Sequence, residues 1–342
     1  MPTQTEQETN SFTDTTRTHL QDKTITPGAI NIAQDGFEEN PLEPKEALFA
    51  SVKIKHDGDT LDQLAVNFSY CVWFTIFWGF GTWHCTFALA GNTNTTPVFE
   101  AKFGWSADEA LLYNSIISTA GTVGSLIGSF LGGSLLKFGR RRAAIIGHIV
   151  AILGCAVCMV PHTATLSLGR VLLGIAGGIE NVIFGKMITE TIPDRYISTF
   201  AMAHNASLCF GLFVCFSLGF ILPDPKDFEA NVHDELWRVI YGFPAIVALI
   251  EIVLILTVFT LEPTAACVMS GDEAAGLAHM RRVYRKKDPN SEASLDSLLS
   301  VHMAFTRRST TLDAASTGFK AAVCGRKYRK ATWVCVLLNV FN

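Results

Sequence analysis

The sequence of 342 residues contains little charge, and the charge that it has is unevenly placed. Asp, Glu, Lys and Arg make up only 17% of the chain, and all four are missing from residues 63–99, 110–136, 143–169 and 196–223. An uncharged apolar stretch of about 18 residues can cross a hydrocarbon layer roughly 30 Å thick as a helix. Soluble domains do not carry four such stretches. The composition therefore excludes a soluble enzyme and predicts an all-α protein that crosses the membrane several times.

Other features are missing as well. The chain has no GxxxxGK[ST] loop, which disfavours an ATP-driven pump, and no cationic start leading into a cleavage site, so no cleavable signal peptide is expected. Cys155 and Cys158 form a CxxC without a second pair of ligands, and we interpret them as buried packing thiols. We predict no catalytic residue, cofactor or metal site. The basic run at residues 281–287 suits a solvated or lipid-facing surface, and no nucleic-acid partner is expected.

The pattern of apolar stretches predicts six complete membrane-spanning helices. They cover about residues 65–91, 110–138, 143–160, 164–191, 199–222 and 237–261. We predict a disordered tail at residues 1–60, a six-helix bundle at 61–261, a polar linker domain at 262–330, and the start of a seventh helix at 331–342. That last stretch has 12 residues and would rise only roughly 18 Å, too little for a crossing.

Loop charge predicts the orientation of this bundle. Lysine and arginine collect in the loop between the second and third helices and in the linker domain, whereas the opposite loops contain only Lys102 and Lys226. Cytoplasmic loops carry the excess of Lys and Arg, so the N-terminal tail and the linker domain are predicted to be cytoplasmic. The Asn94-Thr95-Thr96 sequon would then lie in the first outer loop, where Asn94 could be glycosylated.

Five segments carry a family resemblance. They are GGSLLKFGRRR at 132–142, GRVLLGIAGGIENVIFGKMITETIP at 169–193, WRVIYGFPAIVALIE at 237–251, Leu-Glu-Pro at 261–263 and MSGDEAAGLAHMRRVYRKK at 269–287. In order and spacing they resemble the sugar porters of the major facilitator superfamily. The resemblance implies a six-helix N-terminal bundle with a cytoplasmic linker domain and a truncated seventh helix.

The resemblance also implies a function, which is transport of a hexose-like monosaccharide across a plasma or internal membrane. Asn205 matches the family's sugar-binding glutamine of the fifth helix, and Asn342 lies where the seventh helix places another glutamine. His84 is a third candidate sugar contact. It stands where proton-coupled members have Asp, and because that acid is missing, facilitated diffusion is favoured over proton symport. The alternatives are a non-transporting half-molecule or accessory subunit, and a porter for another small solute.

Charged residues within the predicted helices need partners or water, because charge in the bilayer is costly. By resemblance, Glu190 is expected to bind the run Arg140, Arg141 and Arg142 as a gate component. Glu180 should face the central cavity or pair with a polar group such as His148. Arg170 should form a structural ion pair or contribute to coupling.

Overall fold

The computed structural model describes residues 64–288 and 294–316, with the side chains of 305 and 308–316 left aside. The predicted tail at 1–60, the start of the seventh helix at 331–342 and Asn342 lie outside the described residues. The helices are α1 (Phe68–Gly81), α2 (Trp83–Phe103), α3 (Ala107–Leu135), α4 (Arg140–Cys158), α5 (Thr163–Thr191), α6 (Asp194–Leu218), α7 (Phe228–His233), α8 (Trp237–Thr257), α9 (Thr264–Ser270), α10 (Glu273–Val283) and α11 (Leu295–Ser316).

Five of the described helices, α3, α4, α5, α6 and α8, are long and apolar enough to cross a membrane. They match the predicted second to sixth spans to within a few residues. The first predicted span is instead divided at Thr82, whose hydroxyl donates to the carbonyl of Gly79, into the 14-residue α1 and the 21-residue α2. The predicted first span is therefore covered by two successive helices, α1 and α2, ahead of the five longer apolar ones.

The polar run in α2 continues the helix beyond the end predicted at residue 91. Its polar groups find partners on neighbouring helices: the Asn92 amide donates to Ser118 of α3 at 3.2 Å, and the Thr95 hydroxyl lies 3.2 Å from the Tyr241 hydroxyl of α8. Such partners satisfy polar groups that a sequence pattern alone assigns to a loop. The helix ends only at Gly104, which adopts a left-handed conformation with φ of 62°.

Glycines bring α3 and α5 into backbone contact. A Cβ added at Gly124 or Gly128 would lie 2.2 or 2.1 Å from the carbonyl oxygens of Val171 and Ile175, and one at Gly178 would lie 2.2 Å from the Ser125 carbonyl oxygen. Only glycine permits this approach, and small residues spaced by four are the usual means of close helix packing in membranes. The glycine spacing in α3 thus forms a packing seam against α5, which is the most buried of the five spans.

Segments before and after the spanning helices pair in a two-stranded sheet. Strands β1 (Leu64–Val66) and β2 (Tyr284–Lys286) pair antiparallel, with Ala65 opposite Arg285. The Asn67 side chain donates to the Arg282 carbonyl at 3.0 Å, which fixes the start of α1 against the end of α10. The segment 269–287 that carries the family resemblance is divided at Gly271 between α9 and α10, and α10 ends at Val283, where the chain turns into β2. The described part of the chain is otherwise helical, as predicted.

Candidate functional site

Four titratable side chains meet inside the bundle. His84 of α2 and His148 of α4 approach to 3.3 Å between Nε2 and Nδ1. The Glu251 Oε2 atom of α8 lies 3.9 Å from His84 Nε2 and 3.7 Å from His148 Nδ1, and the Glu180 Oε1 atom of α5 lies 3.6 Å from His148 Nδ1. We call these four residues the buried histidine–glutamate cluster. It joins four helices through side chains that are distant in sequence.

Two glycines make room for the cluster. A Cβ on Gly147, one residue before His148, would lie 2.2 Å from Glu180 Oε1, and a Cβ on Gly81 would lie 3.1 Å from Glu180 Oε2. The carboxyl group of Glu180 thus occupies space that any larger residue at Gly147 would take. Of the two roles predicted for Glu180, contact with His148 is the one that the structure shows.

The cluster is shielded from solvent. Each of its four residues is at most 3% exposed, and His84 is fully buried. Within the described part of the chain, Glu180 Oε1 and Glu251 Oε2 are buried without a hydrogen-bond donor. An isolated carboxylate in a dry interior is strongly unfavourable unless it is paired, protonated or bound to a cation. The two glutamates of the cluster therefore need a proton or a cation at this place.

Arg170 of α5 does not form the predicted ion pair in the described structure. Its guanidinium donates to backbone carbonyl oxygens instead: Nε to Ile117 of α3 at 2.9 Å, and Nη2 to Ala88 of α2. It is fully buried. Five fixed N–H donors let an arginine hold several carbonyls at once, so Arg170 fastens α2, α3 and α5 together without an acidic partner.

Asn205 lies on α6, the least buried of the five spans, and its side chain is exposed. Other residues attach α6 to the bundle. The Ser207 hydroxyl donates to the Gly79 carbonyl at 2.8 Å, and the indole N–H of Trp83 donates to the Ser207 hydroxyl at 3.2 Å. Asn205 is therefore separate from the buried cluster that contains His84. Of the predicted sugar contacts in the described chain, Asn205 is exposed on α6 and His84 is buried inside the bundle.

Asn94 is not in a loop. It lies inside α2, and its side-chain amide donates to the Cys215 carbonyl of α6 at 2.8 Å, with Gly219 packed closely against it. Glycosylation needs an accessible acceptor amide, usually in a surface loop. The predicted loop at Asn94 is therefore wrong, because the polar run is helical and the amide holds α2 to α6; glycosylation of Asn94 stays a prediction.

A second ionic group lies where α4 begins. The Arg140 guanidinium binds Glu190 of α5 through two bonds, Nε to Oε2 at 2.8 Å and Nη2 to Oε1 at 2.7 Å. The side chains are 10% and 12% exposed. Two parallel, charge-assisted bonds fix both distance and orientation. We call this pair the Arg140–Glu190 latch.

The other two arginines of the run differ from Arg140. Arg141 donates to the Ile255 carbonyl of α8 at 2.7 Å, whereas Arg142 is exposed. Glu262, which sequence reasoning left out of the site, accepts from the backbone N–H groups of Arg140 and Arg141 at 3.0 and 3.1 Å. Unpaired N–H groups at a helix start attract an anion, and the Leu-Glu-Pro motif places one there.

Sequence reasoning also missed how His148 and Glu251 combine with His84. Each was visible as a polar residue in an apolar stretch, but no local spacing connects three different helices.

Cys155 and Cys158 are both fully buried free thiols, as predicted.

This arrangement of spanning helices and basic loop matches a known class of membrane protein. The family model described as Major Facilitator Superfamily matches residues 60–306. The chain belongs to the major facilitator superfamily and is a multi-pass membrane protein.

Relatives narrow the likeness to the sugar-porter branch. The chain is 29% identical to Hexose transporter 1 of Toxoplasma gondii over 228 residues, which is 62% of this chain and 40% of that protein. It is 25% identical to Sugar transport protein 5 of Arabidopsis thaliana, covering 75% of this chain and 46% of that protein. The chain thus spans less than half the length of these relatives.

Solved structures support the fold. The chain superposes on the proton:xylose symporter XylE bound to 6-bromo-6-deoxy-D-glucose with a TM-score of 0.64 and 17% identity, covering 76% of this chain and 57% of that one. A partially occluded inward-open XylE from E. coli gives a TM-score of 0.59. At this identity the likeness concerns the arrangement of helices.

Proposed function

We propose that the chain is the N-terminal half of a sugar porter that moves a hexose-like monosaccharide across a lipid bilayer by alternating access. The observation that carries this proposal is the similarity to named hexose and sugar transporters over more than half of the chain. In such proteins two halves rock about a site near the middle of the membrane. The bundle described above supplies one half as a stiff unit, held by the glycine seam and by Arg170.

Asn205 is the proposed sugar contact in this half. A carboxamide both donates and accepts hydrogen bonds, so it can bind a sugar hydroxyl in either sense. Its exposure on α6 suits a residue that would face a cavity closed by a second half. Asn342 is proposed as a further contact by resemblance alone. His84 is enclosed in the buried cluster, so a sugar could reach it only through a rearrangement of the bundle.

The Arg140–Glu190 latch, with Glu262, is the proposed gate component of this half. It connects the beginning of α4, the end of α5 and the segment after α8. The excess of Lys and Arg near it supports a cytoplasmic position for this end, for the proposed linker domain and for the N-terminal tail under the positive-inside rule. We propose facilitated diffusion, because a histidine enclosed away from the exposed face is poorly placed to exchange a proton with each sugar.

Uptake of labelled glucose into liposomes tests this function. Residues 1–342 alone should give no saturable uptake, because one wall of the cavity is missing. A chimera in which residues 60–342 replace the matching part of the Toxoplasma gondii hexose transporter should restore uptake that unlabelled hexoses compete. Asn205→Ala in the chimera should lower uptake at least about tenfold, as expected when a polar site loses a hydrogen-bonding partner.

Cys209→Ala is the matched control, since Cys209 is one helical turn from Asn205 and is also exposed. It should transport like the parent chimera. Saturable uptake by residues 1–342 alone would contradict the half-transporter assignment and point to two copies forming a complete cavity. A panel of other solutes separates a hexose porter from a porter for a different cargo. Sugar-dependent proton entry, recorded with a trapped pH dye, would contradict facilitated diffusion.

A further inference from the structure

The buried cluster holds a set of donor atoms that fits a transition-metal ion. His84 Nε2, His148 Nδ1 and Glu251 Oε2 are 3.3, 3.7 and 3.9 Å apart, and these three residues could each offer one ligand atom to the same ion. Zinc bonds of about 2.0–2.2 Å in a tetrahedron place their ligand atoms roughly 3.3–3.6 Å apart. The observed separations lie close to that range, so small side-chain movements would complete the coordination.

The chemistry of the donors also suits such an ion. Two imidazoles and a carboxylate are ligands typical of zinc and of other divalent transition metals. Glu180, 3.6 Å from His148 Nδ1, supplies a second carboxylate as a fourth ligand or as an orienting neighbour. Each of the two glutamates has a buried oxygen that no donor reaches in the described chain. Both oxygens belong to the pairs with His148 that define the cluster.

Charge supports the same conclusion. Within the described residues, the ion-pair partners of Glu180 and Glu251 are histidines, and no Lys or Arg contacts either carboxyl group. His148 lies eight residues into α4, about 12 Å along the helix from Arg140. At that depth two ionised carboxylates need compensating charge. One divalent cation bound by neutral histidines would cancel both negative charges.

We propose that His84, His148, Glu251 and Glu180 form a zinc-class metal site that ties α2, α4, α8 and α5 together. A bound metal ion would link four helices that otherwise meet through the side chains of two histidines and two glutamates. The space for it depends on Gly81 and Gly147, which keep the Glu180 carboxyl group beside His148. Sequence spacing cannot reveal this site, because its ligands come from separate helices.

Metal content of the purified 342-residue chain, expressed with zinc and washed with a weak chelator, tests the site. Mass spectrometry should find one zinc per chain, and X-ray absorption of the bound zinc should show nitrogen and oxygen ligands only. Cobalt added to the metal-free chain should give the visible bands of a four-coordinate ion. Zinc below a tenth of an equivalent, or sulfur ligands from the cysteines, would overturn the proposal.

Substitutions assign the ligands. Glu251→Gln keeps the side-chain shape and should weaken zinc binding at least about 100-fold, and His148→Gln should do the same; Glu180→Gln should weaken it about tenfold or more. His204→Gln is the matched control, since His204 is a half-buried histidine on α6 outside the cluster, and it should bind zinc normally. Normal binding in Glu251→Gln would overturn the proposal.

Discussion

The Arg140–Glu190 latch and the buried histidine–glutamate cluster both join helices through charged side chains, but they are neutralised differently. In the latch, an arginine binds a carboxylate through two bonds of 2.7 and 2.8 Å. In the cluster, two glutamates face two histidines, with distances of 3.6 to 3.9 Å. Arginine is always charged in proteins, whereas the charge of histidine depends on its surroundings.

This difference has a consequence for how each group can act. Both charges of the latch are supplied by the protein, so the strength of the pair depends on how the helices position Arg140 and Glu190. The cluster needs something from outside, a metal ion or protons, to balance its carboxyl groups. A mechanical connection suits a gate, and an incompletely neutralised pocket suits a site that takes up a cation.

Breaking the latch should produce the largest effect. Arg140→Ala leaves Glu190 nearly buried without its cation, and removal of one member of a buried pair costs about 3–5 kcal/mol. We expect the free energy of unfolding to fall by about 3–4 kcal/mol, measured by reversible denaturation of the chain in mixed micelles. Arg142→Ala removes an exposed arginine two positions away and should change stability by less than about 0.5 kcal/mol. Equal effects of the two substitutions would contradict the latch.

Much of the latch could be anticipated from sequence, and little of the cluster could. The arginine run and Glu190 lie in motifs that resemble the sugar porters, and the apolar stretches locate α3, α4, α5, α6 and α8 closely. His84, His148 and Glu251 lie in three different apolar stretches. Packing decides which faces of those helices meet, through close approaches such as that of Gly147 to the Glu180 carboxyl group. A periodic sequence pattern does not contain that information.

The same limit explains the error at Asn94. A run of Asn and Thr followed by Pro97 is typical of a loop, yet it continues α2 because neighbouring helices supply hydrogen-bond partners. Local propensity was outweighed by tertiary contacts. Arg170 shows the converse. An acidic partner was predicted for this buried cation, but backbone carbonyl oxygens accept its hydrogen bonds instead.

A histidine outside the membrane-spanning helices sharpens the comparison between the latch and the cluster. It is held neutral by burial, with neither a carboxylate nor a metal beside it in the described chain. His279 of α10 is buried, and its Nδ1 lies 3.2 Å from the Thr264 hydroxyl. Burial, together with the nearby charge of Arg282, lowers the pKa of His279 from 6.5 to about 4. The unfolded chain therefore binds a proton between these pH values that the folded chain does not.

The resulting stability is fully present above pH 6.5 and is lost as the pH falls toward 4. From pH 7 to pH 5 we expect a loss of about 2 kcal/mol in the free energy of unfolding attributable to His279. The difference in stability between the parent and His279→Gln, measured across this range, reports that contribution. His162→Gln is the matched control, a substitution at an exposed histidine. A pH profile unchanged by His279→Gln would show that this histidine is not held neutral.

The smallest expected effect comes from an ion pair with the same fork geometry as the latch but in water. Arg281 of α10 binds Asp296 of α11 through two bonds of 2.9 Å, and the side chains are 51% and 57% exposed. Exposed pairs contribute about 0.5 kcal/mol, because water and salt screen the charges and ordering two long side chains costs entropy. Arg281→Ala should therefore lower the free energy of unfolding by about 0.5 kcal/mol, and molar salt should remove most of that difference, whereas the loss caused by Arg140→Ala should persist. If Arg281→Ala cost as much as Arg140→Ala, burial would not be what separates the two pairs, and the strength of the latch would have to come from its geometry alone.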